Sequence, residues 1–268
     1  MNDWIERINK LDLSLYKAIP SQTTAGCRRS LLAVQRATAR KHKDYAYLEI
    51  GSHLGGTIQP HLVDDRCRRI YSIDPRPSQQ PDDREPGYTA HYDDNSTERM
   101  LTLLHGMGYG DLAKIECFES DASEVDPDKI RPRPEIVFID GEHTKPAVLS
   151  DFQFCNKVVS KHGTILFHDS WIVYPAILEI CSLLDRNHHT HVSLRLEGSV
   201  FAIFFDSDLV QGDPYLALLR QKNRTSLLEL RVRNWLEQHL PIPMVKSLRK
   251  LRNAIKNNAD EQEAAVDR

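Results

Sequence analysis

The chain has 268 residues, of which 40% are hydrophobic and 27% charged, and its formal net charge is -3. That length suits one α/β core with helical appendages, and the near balance of charge offers no general clamp for nucleic acid. Five cysteines scattered singly (Cys27, Cys67, Cys117, Cys155, Cys181) argue against a zinc or disulfide framework, and no run approaches the roughly 18 apolar residues of a membrane span.

Residues 1–44 are helical in pattern and lack strand signals, and their start, MNDWIERINK, has no apolar leader segment, so the cytoplasm is the expected compartment. From Tyr45 onward, short apolar runs at 45–50, 69–73, 114–118, 135–139 and 164–167 alternate with helix-like stretches, among them 97–106 and 146–161. That alternation is the mark of a parallel sheet covered on both faces. Runs at 191–196 and 199–205 flank Glu197-Gly198, a two-residue hairpin signal. The expected fold is therefore α/β and doubly wound: a mostly parallel seven-stranded sheet ending in an antiparallel hairpin, with N- and C-terminal helical extensions. Three regions follow: a helical segment or lid over 1–44, a core over 45–206 and a helical extension over 207–268. The extension includes a Pro-Ile-Pro break at Pro241 to Pro243 and a basic stretch, 246–256, with Val245, Leu248, Leu251 and Ile255 on one face.

The first strand runs into Leu48-Glu49-Ile50-Gly51-Ser52-His53-Leu54-Gly55-Gly56-Thr57. Glycines directly after a strand permit a tight turn and close approach of a ligand, and a following helix start, which Thr57 is placed to cap, offers free N–H groups. The spacing is not the G-x-G-x-x-G of dinucleotide folds, and Glu49 would repel a pyrophosphate, so a cationic ligand is indicated. The second strand ends in Asp74, about 20 residues beyond the turn, where a carboxylate can accept the hydroxyls of a ribose. The third ends Glu119-Ser120-Asp121-Ala122, where an acidic side chain can accept from an adenine amino group.

In this order the motifs resemble those of class I S-adenosylmethionine-dependent methyltransferases. The resemblance covers about 45–205 and implies that Glu49, Gly51, Ser52, His53 and Gly55 meet the methionine part of the cofactor, Asp74 its ribose, and Asp121 with Ala122 its adenine. The fourth strand adds Asp140-Gly141-Glu142-His143 and the fifth Phe167-His168-Asp169. In a doubly wound sheet these ends lie beside the glycine turn, so Asp140, His143, His168 and Asp169 are expected to crowd where the methyl group emerges.

That part is similar to the O-methyltransferase branch with macrolide-sugar methyltransferases and cephalosporin-hydroxylase-like proteins. The likeness implies Asp140 and Asp169 as ligands of magnesium, with Asp140 also bordering the cofactor, and His143 as general base. His168 departs from it, because magnesium disfavours imidazole. It stands as a ligand of a softer metal, as a base or substrate contact in a metal-free site, or as a structural residue bonded to nearby backbone, and the metal-free site is placed ahead of magnesium. A histidine with an ordinary pKa near 6.5 would take the acceptor's proton near neutrality.

The implied activity is methyl transfer to a hydroxyl oxygen of a small molecule or sugar. Transfer to nitrogen or carbon, or a degenerate cofactor-binding module, are the alternatives. No nucleic-acid partner is expected. The basic stretch is read as a solvated helix packing on its own domain or on a second copy in a homo-oligomer, with a membrane surface or a partner enzyme as the other readings. The front segment, with Arg28, Arg29, Arg36, Arg40, Lys41 and Lys43, is expected either to lie over the cofactor or to meet a phosphate-bearing acceptor.

Overall fold

The computed structural model describes residues 3–240 and 244. The chain enters through α1 (Asp3–Asn9) and the long α2 (Ala25–His42), whose start is fixed by Thr24 accepting from the Cys27 N–H. Next come β1 (Tyr45–Ile50), α3 (Gln59–Val63), β2 (Cys67–Ile73), a small hairpin of β3 (Gln79–Pro81) and β4 (Thr89–His91), and α4 (Thr97–Gly106). The second half runs β5 (Ile115–Phe118), β6 (Ile136–Ile139), α5 (Lys145–Val158), β7 (Thr164–Phe167), α6 (Tyr174–Arg186), β8 (Val192–Arg195) and β9 (Phe201–Phe204). Three helices close the described chain: α7 (Ser207–Gly212), α8 (Pro214–Lys222) and α9 (Ser226–His239).

Seven strands form one sheet in the order β5-β2-β1-β6-β7-β9-β8. Pairing is parallel from β5 through β7 and antiparallel where β9 meets β7 and β8. This is the expected doubly wound sheet with its terminal hairpin. Every residue of β1 is buried, because alternate side chains serve two faces. Tyr45 and Tyr47 join Phe138, Leu166 and Phe204 in a core that also takes in Leu31 and Val34 of α2. Leu48, Val137, Ile165 and Phe167 are buried between them along the strands, and Phe152 of α5 lies 6.4 Å from Phe167 by ring centroids.

The turn between β8 and β9 differs from the expected two-residue link. Leu196 N–H donates to Val200 O at 3.0 Å, so Glu197, Gly198 and Ser199 form a three-residue connection. Gly198 adopts φ +68, and a Cβ there would stand 2.5 Å from Cys27 Sγ. The hairpin tip thus sits directly on the first turn of α2, where Arg29 Nη1 also pairs with Glu197 at 2.7 Å.

α2 is built into the core instead of lying over it as a lid. Its polar residues Ser30, Gln35, Arg36 and Thr38 are buried along with its apolar ones. Gln35 donates to Tyr45 Oη at 2.9 Å and to Asp64 Oδ2 at 3.1 Å, and Arg36 grips Asp213 with two bonds of 2.7 Å. The other front-segment cations also turn to their own chain: Arg28 to Thr23, Arg29 to Glu197, Arg40 to Asn9, and Lys41 to Asp206 and Asp208. The described residues up to 226 form one compact unit, in which α1, α2, α7 and α8 join the sheet, and those from 227 onward belong to a second. Within the second unit, Arg233 pairs with Glu237 at 2.9 Å and Trp235 stacks on His239. The Pro241 to Pro243 break and the basic stretch 246–256 lie outside the described residues.

Candidate functional site

The parallel strands stop in a row, so the strand order places Asp121, Asp74, Gly51, Asp140 and Asp169 after consecutive carboxyl ends of β5, β2, β1, β6 and β7. Backbone bonds weld these ends: Gly51 N–H to Ile73 O and Asp140 N–H to Ile50 O, both at 2.9 Å, and Asp74 N–H to Phe118 O at 3.0 Å. Gly51 has φ +84, and a Cβ there would meet Asp140 O at 2.2 Å. Only glycine lets the turn and the β6 end approach so closely.

Glu49 is 1% exposed. Its Oε1 accepts from the Thr57 hydroxyl, so Thr57 serves Glu49 and does not cap α3, whose N-cap is Ile58 without a side-chain bond. Its Oε2, like Ser52 Oγ, is buried with no hydrogen-bond partner. Burial, reinforced by the charges of Asp140 and Asp74, pushes the Glu49 carboxyl up to about 8. A buried, half-satisfied carboxylate facing two others lacks a cation, and S-adenosylmethionine brings one on its ammonium and another on its sulfonium. The residues present therefore fit that cofactor.

Asp74 is buried and partly committed. Its Oδ2 accepts from His53 N–H at 2.9 Å and its Oδ1 from Arg76 N–H at 2.8 Å, closing a turn of the kind a short acidic side chain favours. The Arg76 guanidinium, absent from the sequence reading, lies 3.2 Å from Asp74 and donates to His53 O, Asn95 and Ser72. A carboxylate has about four acceptor positions, so the two N–H donors and the guanidinium leave at least one open. His53 holds φ +44 and meets Tyr92 edge-on, and burial holds its imidazole below the usual range. Asp121 is exposed and caps nothing with its side chain, while Ala122 beside it is buried.

Beyond the glycine turn, Asp140, His143 and His168 bring one donor atom each within 4.8 Å of one another. Asp140 Oδ1 lies 2.8 Å from His168 Nδ1 and 3.5 Å from His143 Nε2. Each ring is anchored on its far side. His143 Nδ1 meets Asp82 Oδ2 at 3.0 Å, and His168 Nε2 meets Ser199 Oγ at 3.2 Å. His168 thus bonds to side chains on both nitrogens, not to backbone. Behind Ser199 lies buried Cys27, whose thiol is drawn down to about 6 by His168, Ser199 and Thr24 although burial opposes it. Asp169 stands slightly apart, 3.7 Å from His143 Nδ1, 3.9 Å from His168 Nδ1 and 3.6 Å from Arg84.

Electrostatics revise one expectation. Burial works against charge on the His143 ring, but Asp140, Asp82 and Asp169 outweigh it and hold the ring up at about 9. His168 is likewise held well above its ordinary value, and Asp140, despite burial, is drawn down to about 2 by the two rings. His143 is therefore cationic at neutrality, and its capacity to take a proton appears on the alkaline side.

The donor set does not fit magnesium, which requires oxygen ligands. One carboxylate between two imidazoles is its centre, and Asp169 is held by Arg84 outside the tight cluster.

Asp82, Arg84 and Tyr92 escaped the sequence reading. They come from the polar segment after β2, where nothing in the spacing links Asp82 to a histidine 61 positions away. Trp171, just past Asp169, lies under the Arg195 guanidinium at 3.9 Å. All five cysteines are free thiols, four of them buried.

The chain is similar to known proteins over the same strands. A family model described as a methyltransferase domain matches residues 48–170, from β1 to the end of β7. An uncharacterized protein, R132, of Acanthamoeba polyphaga mimivirus is 26% identical over 164 residues, which is 58% of this chain and 67% of that protein. The solved structure of the O-methyltransferase NovP superposes with a TM-score of 0.51 at 14% identity, over 69% of this chain and 82% of its own. MycE methyltransferase in complex with Mg and S-adenosylhomocysteine gives 0.48 at 15% identity, over 74% of this chain and 54% of its own. Among the described residues no helix is long and apolar enough to cross a membrane. From its glycine turn to the acidic ends of β6 and β7, residues 48–170 of this chain are similar to a methyltransferase domain.

Proposed function

We propose that the protein transfers the methyl group of S-adenosylmethionine to a hydroxyl oxygen of a small molecule or sugar, without a bound metal, using His143 as base. The observation that carries this reading is the place of the His143 ring, with Nε2 3.5 Å from Asp140 on the strand end that packs against Gly51. A hydroxyl must shed its proton to attack an electrophilic methyl group, so a base next to the cofactor turn is what oxygen transfer needs.

When bound, S-adenosylmethionine supplies an activated methyl group on a positively charged sulfur. Glu49, Ser52 and the turn at Gly51 to Gly55 hold its amino-acid end, Asp74 its ribose, and Asp121 with Ala122 its adenine. His53, next in the turn, meets the Tyr92 ring edge-on at 5.2 Å. Asp140 orients the acceptor edge of the site through its bonds to both imidazoles, and His168 keeps Asp140 ionised. His143 Nε2 receives the proton of the acceptor hydroxyl. NovP is an O-methyltransferase and shares the fold, which is compatible with this choice of acceptor atom. Magnesium has no place in the proposal, because the donor set is poor in oxygen.

The test is a screen of hydroxylated acceptors, sugars included, read by release of S-adenosylhomocysteine. Turnover that persists in full after His143→Ala would remove the base. Turnover lost on chelator treatment and restored by a divalent ion would remove the metal-free reading.

A further inference from the structure

Between β2 and α4 the chain makes an excursion that the sheet does not need: the two-stranded hairpin of β3 and β4, paired Gln79 to His91, Gln80 to Ala90 and Pro81 to Thr89. Its strands are short and polar, and its residues contribute little to the core. What it does make is a set of bonds to the loop that carries His143. Asp82 and His143 form a parallel backbone bridge, Asp83 N–H donates to His143 O at 3.1 Å, and Lys145 N–H at the start of α5 donates to Asp83 Oδ2 at 2.9 Å. The hairpin is thus clipped to the 143–145 segment at the carbonyl of the histidine itself and at the first residue of α5.

The clip delivers one carboxylate. Asp82 is 4% exposed, and its Oδ2 sits 3.0 Å from His143 Nδ1. It is itself fixed by Arg84, whose backbone N–H and Nε reach Oδ1 at 2.7 Å and 3.0 Å and whose Nη2 reaches Oδ2 at 2.9 Å. The opposite nitrogen of the ring is held more loosely, 3.5 Å from an Asp140 oxygen that His168 already occupies at 2.8 Å. In the neutral ring the hydrogen is favoured on Nδ1, toward the nearer carboxylate of Asp82, which leaves the lone pair on Nε2.

We propose that Asp82, carried by the β3–β4 hairpin, is the positioning residue of the reaction: it fixes His143 in the Nδ1–H form and aims Nε2 at the acceptor hydroxyl. This rests on the reading of His143 as base given above. The charged and titratable groups around the ring are Asp82 and Arg84 from the hairpin, Tyr92 just beyond it, Asp140 from the β6 end, and His168 and Asp169 from the β7 end. Of these only Asp82 lies within 3.2 Å of a His143 nitrogen among the contacts of that ring. The hairpin is accordingly part of the catalytic apparatus and not a decorative loop.

The experiment uses the full chain labelled with 15N-histidine, purified in chelator and assigned through His143→Gln, with ring-nitrogen shifts recorded above the His143 transition near 9. Wild type is expected in the Nδ1–H form, Asp82→Glu to keep it, and Asp82→Asn, whose amide can donate to Nδ1, to move the ring to Nε2–H. Circular dichroism confirms that the variants are folded. If Asp82→Asn does not fold, the wild-type tautomer alone decides: an Nε2–H ring overturns the proposal. Unchanged His143 shifts in folded Asp82→Asn overturn it as well. With an acceptor in hand, Asp82→Asn should lower kcat at least ~100-fold with KM little changed, and Asp82→Glu should recover part of that loss. A kcat equal to wild type in Asp82→Asn overturns the positioning role. Because the ring shifts need no acceptor and no turnover, this proposal and the base reading, which falls if His143→Ala is fully active, fail by separate results.

Discussion

His168 and Asp140, on the ends of adjacent strands β7 and β6, are joined by a 2.8 Å bond from Nδ1 to Oδ1. It is the shortest link in a line that runs from Cys27 on α2 through Ser199, His168, Asp140 and His143 to Asp82 on the small hairpin. Two elements remote in sequence therefore hold the two imidazoles from outside while both rings face one carboxylate.

Removing His168 should be read first at Asp140. With the ring present the carboxyl sits at about 2, below its unfolded value of 3.8, so it stabilises the fold above the latter and that contribution is lost as pH falls through about 2. His168→Ala should raise the Asp140 pKa and move the acid-unfolding midpoint, followed by circular dichroism, to higher pH. An unmoved midpoint would show that the two groups are not coupled.

Turnover should climb with pH. His143 titrates at about 9 against an ordinary 6.5, so it is protonated at neutrality and becomes a base as pH rises through about 9. The same raised value makes its stabilising contribution complete below 6.5 and lost through about 9. We expect the rate of S-adenosylhomocysteine release to rise toward a plateau above that value, and His143→Ala to cost ~100-fold or more and flatten the profile.

Cofactor affinity should also depend on pH, for a different reason. Glu49 is neutral below about 8 in the free protein, whereas a bound cation favours its ionised form. S-adenosylmethionine should bind more tightly as pH rises toward 8, by up to about tenfold per unit below that value, with proton release visible by calorimetry in buffers of different ionisation enthalpy. Glu49→Gln should remove the pH dependence and weaken binding, and Asp74→Ala should weaken it independently of pH.

One prediction concerns the frame alone. The Arg36–Asp213 pair is buried, with two bonds of 2.7 Å joining α2 to the start of α8. Asp213→Ala should cost about 3–5 kcal/mol in denaturant unfolding, since it strands a buried guanidinium, whereas exchanging both partners for apolar residues should cost far less.

The strand ends were legible in the sequence because each β-branched run announces its strand, and a doubly wound order then dictates which ends are neighbours. Asp140, His143 and His168 were found that way. Asp82 was not, because β3 and β4 are three residues each with polar faces, and Asp82 has the same local surroundings as Asp83, Asp93 and Asp94. The ionisation of His143 was misjudged because it depends first on Asp140, whose distance from the ring only the folded strand ends set, and then on Asp82 from the hairpin. The front segment was read as lying over the cofactor or meeting a phosphate-bearing acceptor because of its cations, and nothing in the spacing shows that Gln35 and Arg36 of α2 are buried against partners. Their partners, Tyr45, Asp64 and Asp213 among them, lie up to 177 residues away.

The contact of Gly51 with the Asp140 carbonyl removes any slack between the end of β1 and the end of β6. A backbone shift at the glycine turn must pass straight into the residue that both imidazoles face. Drift in sequence at position 51 is thereby closed off, and so is any side chain larger than hydrogen at that point of the sheet's carboxyl edge.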